Sequence, residues 1–196
     1  MIACYLTHPQ VEIEPDRPVP LWRLSAVGRK RIEALLDRPW LAKVERIVSS
    51  AETKAVETAA IIAAHLRLPM QIDERLGEND RSSTGFLFPD RFEAAADCFF
   101  GEPHKSWNGW ETAVDASERM AAAMDRYLLS PAPQTLFVGH GAVGTLFKCR
   151  LAGYPIARIH DQPAGGGNIF AFGMAERELL CDWTPMEKFE GIADAN

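Results

Sequence analysis

The chain has 196 residues, enough for one domain with a full core, and its 47% hydrophobic and 24% charged content is typical of a soluble globular protein. A formal charge of −6 argues against general binding to nucleic acid or anionic membranes, and no apolar run reaches membrane length. The four cysteines form no C-x-x-C pair, which argues against a zinc or redox motif, and no leader precedes the first strand. We therefore expect one cytoplasmic domain over residues 1–196, with reduced cysteines.

The first half of the chain alternates strand and helix. A buried strand, Ala3-Cys4-Tyr5-Leu6, runs into Thr7-His8-Pro9. Prolines at positions 15, 18 and 20 exclude a helix over residues 10–22, so a loop follows His8. A helix then begins at the N-cap Ser25 and ends before Pro39, and residues 44–49 form a strand. Ser50 is expected to cap the next helix, whose apolar face is Ala55, Ala59, Ile62, Ala63 and Leu66.

The second half continues the alternation. Residues 70–72 are a short strand, and residues 73–89 form a polar loop that contains Glu78 and Arg81. Helices are predicted over residues 91–100 and 111–129, with Ser117, Ala121, Met124 and Leu128 on one face of the second. A strand over residues 135–139 leads to His140 and a helix over residues 142–151. Strands over residues 168–173 and 179–183 come last, and the last dozen residues are expected to be a loose tail.

This order of elements predicts an α/β fold, a three-layer α/β/α sandwich with a mainly parallel sheet and an antiparallel edge. Ligands of such sheets bind outside the carboxyl ends of the strands. His8 and His140 each follow a strand directly, so we expect them to meet at one edge of the sheet.

The expected chemistry at this edge is that of a phosphate site. A neutral imidazole can attack phosphorus through one ring nitrogen, and a second imidazole can stabilise charge on the phosphoryl oxygens. The helix start at Gly141-Ala142-Val143 offers N–H groups to an anion. A carboxylic acid is then needed to protonate the leaving oxygen and to activate water.

Four motifs in order resemble the histidine phosphatase superfamily, also called phosphoglycerate mutase-like, over residues 2–183. They are Thr7-His8-Pro9 at the Arg-His-Gly position, Leu24-Ser25-Ala26-Val27-Gly28 at a helix start, a serine-ended strand with a helix, and Val138-Gly139-His140-Gly141. The third motif runs from Ser49 to Ala59 and has Lys54 at the family's arginine position. Leu76-Gly77-Glu78 matches the segment that carries the family's general acid.

The resemblance implies that His8, Glu78 and His140 are catalytic, with His8 as the phosphorylated nucleophile and Glu78 as the acid, and it places Lys54 at a phosphate-binding position. From the residues themselves, we expect Thr7, Arg81, Gly141 and Arg17 to bind the phosphate or substrate as well.

Three departures from the family pattern affect phosphate binding. Thr7 and Lys54 replace arginines, so the planar bidentate fork is lost twice, and Pro9 lacks an N–H. Each lost charge-assisted hydrogen bond is worth about 1.5–3 kcal/mol. Arg81 is the preferred replacement, and Arg17 or Arg23 in the loop after His8 are alternatives.

Plainer roles exist for several of these residues. Glu78 could be a solvated loop residue, Lys54 could extend from an exposed helix face, and Arg81 could pair locally with Asp80. Glu111 could be a helix-start acid only, and Arg119 is expected to face solvent.

The leading expectation is a metal-independent phosphomonoesterase with a phosphohistidine intermediate, a small phosphorylated substrate, no cofactor, and no nucleic-acid or membrane partner. The alternative is an impaired enzyme on the same fold that binds a phospho-ligand or a protein. A phosphomutase ranks lower because the known mutases resemble longer chains with intact Arg-His-Gly. The sequence fixes no oligomeric state.

Overall fold

A mixed six-stranded sheet forms the centre of the computed structural model, which describes residues 1–129 and 132–192. Its strands are β1 (Ile2–Thr7), β2 (Arg46–Ser49), β3 (Met70–Ile72), β4 (Thr135–Gly139), β5 (Asn168–Gly173) and β6 (Leu179–Pro185). The spatial order is β3-β2-β4-β1-β5-β6. The first four are parallel, and β5 and β6 add an antiparallel edge. The predicted α/β/α sandwich with a mainly parallel sheet is confirmed.

Five helices cover the two faces of the sheet: α1 (Ala26–Leu35), α2 (Thr53–Leu66), α3 (Pro89–Gly101), α4 (Ala113–Asp125) and α5 (Gly141–Ala152). Alternation along β1 divides the core, because Tyr5 packs with residues of α3, α4 and α5 whereas Leu6 packs with residues of α1 and α2. The predicted faces of α2 and α4 are buried, apart from the half-buried Leu66. The helices thus form the two outer layers.

The helix starts show one prediction confirmed and one wrong. Ser25 caps α1 by accepting a hydrogen bond from Gly28 N–H at 3.1 Å. Ser50 does not cap α2, which has Glu52 at its N-cap position. The Ser50 hydroxyl instead accepts from Glu52 N–H at 3.2 Å, before the helix begins, and bonds the ring of His140.

The C-terminal segment is also not a loose tail in the residues described. Met186 and Phe189 are buried against the layer that contains α1 and α2, and Phe189 packs edge-on against Trp40 with ring centroids 5.1 Å apart. Apolar burial outweighs the polar residues between them. The last four residues of the predicted tail, 193–196, lie outside the described residues.

The topology brings the chain segments that follow β1, β2, β3 and β4 to one edge of the sheet. Backbone pairing continues one residue past the strands: His8 N–H donates to Gly139 O, Ser50 N–H to Val138 O and Asp73 N–H to Ser49 O, at 2.9–3.0 Å. This continuation fixes the backbone from which the polar side chains extend. In the described part of the chain, no helix is long and apolar enough to cross a membrane.

Candidate active site

His8 is held at the carboxyl end of β1 by bonds on both sides of its backbone. Its N–H donates to Gly139 O at 3.0 Å, and its carbonyl accepts from Gly167 N–H at 3.1 Å. The ring Nδ1 lies 2.8 Å from Pro9 O. Because a carbonyl only accepts, Nδ1 carries the proton and Nε2 keeps its lone pair. Pro9 lacks an N–H, but its carbonyl still fixes the tautomer that a nucleophile requires.

His140 is fully buried at the end of β4, at the N-cap position of α5. Its Nε2 lies 2.7 Å from Ser50 Oγ and 3.5 Å from Glu52 Oε1. Among the described residues, its Nδ1 has no hydrogen-bond partner. Nδ1 is therefore a buried polar atom without the partner that such atoms ordinarily have.

The two glycines beside His140 allow other side chains to approach closely. A Cβ on Gly139 would lie 2.2 Å from the Tyr5 hydroxyl oxygen, and a Cβ on Gly141 would lie 2.2 Å from Gln162 Nε2. The Tyr5 hydroxyl in turn accepts from His140 N–H at 3.0 Å. The two glycines thus leave room for the side chains that hold the His140 backbone, as expected from their placement beside it.

The rings of His8 and His140 lie together, with centroids 5.3 Å apart and planes at 68°. Burial, followed by the charge of Lys54, lowers the pKa of His8 to about 4. Burial also holds the pKa of His140 well below its usual range. Both imidazoles are therefore neutral at pH 7, which is the form that can attack phosphorus.

Glu78 is half-buried and lies against the start of α5. Its Oε1 accepts from Val143 N–H at 3.1 Å, and its Oε2 accepts from Ala142 N–H at 3.3 Å. Burial raises the pKa of this carboxyl, while the nearby Arg81 lowers it. Glu78 is not a solvated loop residue, and its raised pKa suits a general acid.

The two predicted phosphate-binding cations differ in their surroundings. Lys54 is 4% exposed and forms an ion pair with Glu52, and it also donates to Val19 O at 3.0 Å. It does not extend into solvent, and its charge is balanced. Arg81 has no ion pair among the described residues, and its guanidinium lies 4.9 Å from the centre of the Phe92 ring. The alternative prediction that Arg81 pairs with Asp80 is wrong. The Asp80 carboxylate accepts from Ser82 N–H instead.

Three further predicted site residues have other contacts. Thr7 is buried, and its hydroxyl donates to Gln162 Oε1 at 2.8 Å and accepts from Asn168 N–H at 3.0 Å. Arg17 lines the cleft beside the site, where it pairs with Glu14 at 3.4 Å. Gly141 begins α5 beside His140, as predicted.

Glu52, the residue that the sequence analysis missed, lies among all these groups. It accepts from Glu78 N–H at 2.8 Å, pairs with Lys54 and approaches His140. Burial opposes its ionisation, but the charge of Lys54 and the hydrogen bonds from Lys54 and the Glu78 N–H lower its pKa below the usual range. The sequence could have indicated Glu52 by its position between Ser50 and Lys54, in the turn from a strand to a helix.

Arg119 is a second missed contributor, because it does not face solvent freely. It forms two 2.8 Å bonds with the Glu111 carboxylate. It also donates to three backbone carbonyls, those of Arg75, Gly77 and Glu78, at 2.7–3.3 Å. The pair braces the loop that carries Glu78, so Glu111 is more than a helix-start residue.

A cleft of about 620 Å³ opens beside the histidine pair. Residues 15–20 form one wall and residues 77–82 another, and Glu52, Glu78 and Arg81 are shared between the cleft and the site. The two histidines are not among its lining residues. No group of three or more His, Cys, Asp or Glu side chains within residues 1–129 and 132–192 is arranged to hold a metal ion.

Solved structures with this fold include several phosphatases. A mycobacterial glucosyl-3-phosphoglycerate phosphatase in complex with inorganic phosphate is 19% identical, with a TM-score of 0.77, and the match covers 95% of this chain and 98% of the other. The Bacillus stearothermophilus protein YhfR is 20% identical, with a TM-score of 0.78 and coverage of 94% and 98%. The phosphoserine phosphatase from Entamoeba histolytica is 14% identical, with a TM-score of 0.75 and coverage of 95% and 98%.

Sequence comparisons identify the family of this protein but no curated relative. A search of curated proteins finds no significant match. The sequence profile of the histidine phosphatase superfamily (branch 1) matches residues 18–180, which is most of the chain. This protein therefore belongs to the histidine phosphatase superfamily.

Proposed function

We propose that this protein is a phosphomonoesterase that acts through a phosphohistidine intermediate on His8. The observation that carries the proposal is the arrangement of a neutral His8, with Nδ1 tied to Pro9 O, beside His140 and the carboxyl of Glu78. A binding module needs neither a nucleophile with a fixed tautomer nor an acid with a raised pKa. The fixed tautomer of His8 and the raised pKa of Glu78, both at one edge of the sheet, therefore support the enzyme over a binding module.

In the first half of the cycle, Nε2 of His8 attacks phosphorus in line with the ester oxygen. The N–P bond forms as the P–O bond breaks, and Glu78 gives its proton to the departing oxygen, which leaves as an alcohol. Arg81 and the His140 ring stabilise the charge on the transferring phosphoryl group, His140 in the tautomer that carries its proton on Nδ1 while Nε2 accepts from the Ser50 hydroxyl.

In the second half, Glu78 is a carboxylate and accepts a proton from water. The water oxygen attacks phosphorus, the N–P bond breaks, and its electron pair returns to His8 Nε2. Inorganic phosphate leaves, and both residues recover their starting protonation states. The cycle uses protein groups and water, and calls on no cofactor.

The test is release of phosphate from a panel of small phosphomonoesters in EDTA, by wild type, His8→Asn and His104→Ala. Asparagine is close in size and cannot form the intermediate, and His104 is an exposed histidine elsewhere in the chain. Wild type and His104→Ala should turn over, and His8→Asn should lose activity by at least 10³-fold, about 4 kcal/mol. Alkaline quenching and intact-mass measurement should detect an added phosphoryl group in wild type and His104→Ala, and none in His8→Asn.

A second candidate is a phospho-ligand-binding protein without turnover. The balanced charge of Lys54 and the occupied hydroxyl of Thr7 favour it over turnover, because groups tied to other protein atoms stabilise a transferring phosphoryl group less. Phosphate binding by wild type with no turnover on the panel would select this candidate. Equal activity of wild type and His8→Asn would exclude His8 as the nucleophile.

A further inference from the structure

We propose that Glu52 is a positioning residue that holds the acid loop on the second histidine and sets the charge around Glu78. The proposal rests on the proposed function, since it assigns Glu78 the role of acid. Glu52 lies at the N-cap position of α2, where a carboxylate ordinarily bonds the N–H groups of its own helix. Its side chain makes no such capping bond and is only 13% exposed.

The Glu52 carboxylate instead joins three elements of the site. Oε1 accepts the backbone N–H of Glu78 at 2.8 Å and lies 3.5 Å from Nε2 of His140. Oε2 pairs with Lys54, which is on the first turn of the same helix. One side chain therefore fixes where the acid loop meets α2 and α5.

The charge of Glu52 has a direct consequence for the acid. A carboxylate near a second carboxyl disfavours its ionisation, so Glu52 raises the pKa of Glu78. The groups that face Glu78 act in both directions. They are Arg81 on its own loop, Glu52 on α2, the Ala142 and Val143 N–H groups on α5, and Arg119 on α4 through the Glu78 carbonyl.

Lys54 limits how far this effect reaches. Because Lys54 pairs with Glu52, the two removals should have opposite effects: loss of Glu52 should lower the pKa of Glu78, and loss of Lys54 should raise it. Without Glu52 the acid loses a neighbouring negative charge, and without Lys54 it faces that charge unbalanced. A purely structural role for the pair predicts no such opposition.

The experiment compares Glu52→Gln, Lys54→Met, the double variant and the matched control Glu57→Gln with wild type. Glu57 is also on α2, but it binds Leu24 N–H, Arg23 and Arg29 away from the histidines. The alkaline limb of the kcat/KM profile should move to lower pH in Glu52→Gln, by about 0.5–1 pH unit, and to higher pH in Lys54→Met. The double variant should lie between them, and Glu57→Gln should match wild type.

Carbon-13 NMR titration of the Glu78 carboxyl gives the same comparison without turnover. A lower pKa in Glu52→Gln and a higher one in Lys54→Met support the proposal. Equal Glu78 pKa values in folded wild type and Glu52→Gln overturn it, whatever the loss of activity. A wild type without turnover would overturn the proposed function, while the NMR comparison would still decide the role of Glu52.

Discussion

Acidification should destabilise this fold measurably through His8. Burial and the charge of Lys54 lower the pKa of His8 from 6.5 to about 4. The unfolded chain therefore binds a proton near pH 6.5, while the folded chain resists protonation until pH 4. Stability that is complete above pH 6.5 is lost as pH falls towards 4. From these two pKa values, His8 alone should lower the free energy of unfolding by about 2 kcal/mol between pH 8 and pH 5.

The assay is urea denaturation of wild type, His8→Gln and His104→Gln at pH 5 and pH 8. Carboxylates titrate in all three proteins, so only the difference between variants reports on His8. The His8→Gln protein should lose about 2 kcal/mol less than wild type between the two pH values, and His104→Gln should behave as wild type. Parallel losses in wild type and His8→Gln would refute the reasoning that a buried neutral imidazole lies at this position.

Four further predictions concern the acid, the cation, the glycine and the cleft. Glu78→Gln should slow hydrolysis of alkyl phosphates by about 10²–10³-fold and that of p-nitrophenyl phosphate much less, because nitrophenolate leaves without a proton; equal losses in kcat would contradict the acid role. Arg81→Met should weaken inorganic phosphate binding about 10-fold or more in calorimetry, whereas Arg75→Met should not. Gly141→Ala should lower stability by about 1–3 kcal/mol in thermal denaturation, and Gln162→Ala in the same chain should restore part of it, since the added Cβ meets the Gln162 amide. The acidic residues 16, 74 and 80 that line the cleft should favour phosphoethanolamine over phosphoglycolate in kcat/KM, and the reverse order would contradict this.

The sequence predicted the parts of the fold that depend on local pattern. The strand ends at His8 and His140, the Ser25 cap and the antiparallel edge follow from hydrophobic runs, turn residues and strand order. The approach of the two histidines follows as well, because parallel strands share a carboxyl edge.

The sequence did not predict contacts that depend on side-chain direction between distant segments. Glu52 had every local reason to cap its own helix, yet it bonds Glu78, which is 26 residues away. Ser50 is expected at a helix start, but His140 takes its hydroxyl from 90 residues away. Local propensity depends only on neighbours in the sequence, and it predicts that both side chains bind their own helix. In the folded site each side chain has a charged or buried partner, and hydrogen bonds to such partners are stronger.

The sequence analysis expected the N–H groups at the start of α5 to bind the phosphate, but two of them bind a side chain of the protein. Its N–H groups at Ala142 and Val143 are bonded to Glu78. A helix N-terminus stabilises an anion, so these groups favour the Glu78 carboxylate that proton transfer creates. In the proposed cycle the phosphoryl group must then rely on Arg81 and His140, because Lys54 is already balanced by Glu52. In that cycle the helix would act on the acid, and it would lower the barrier to proton donation once the ester bond begins to break.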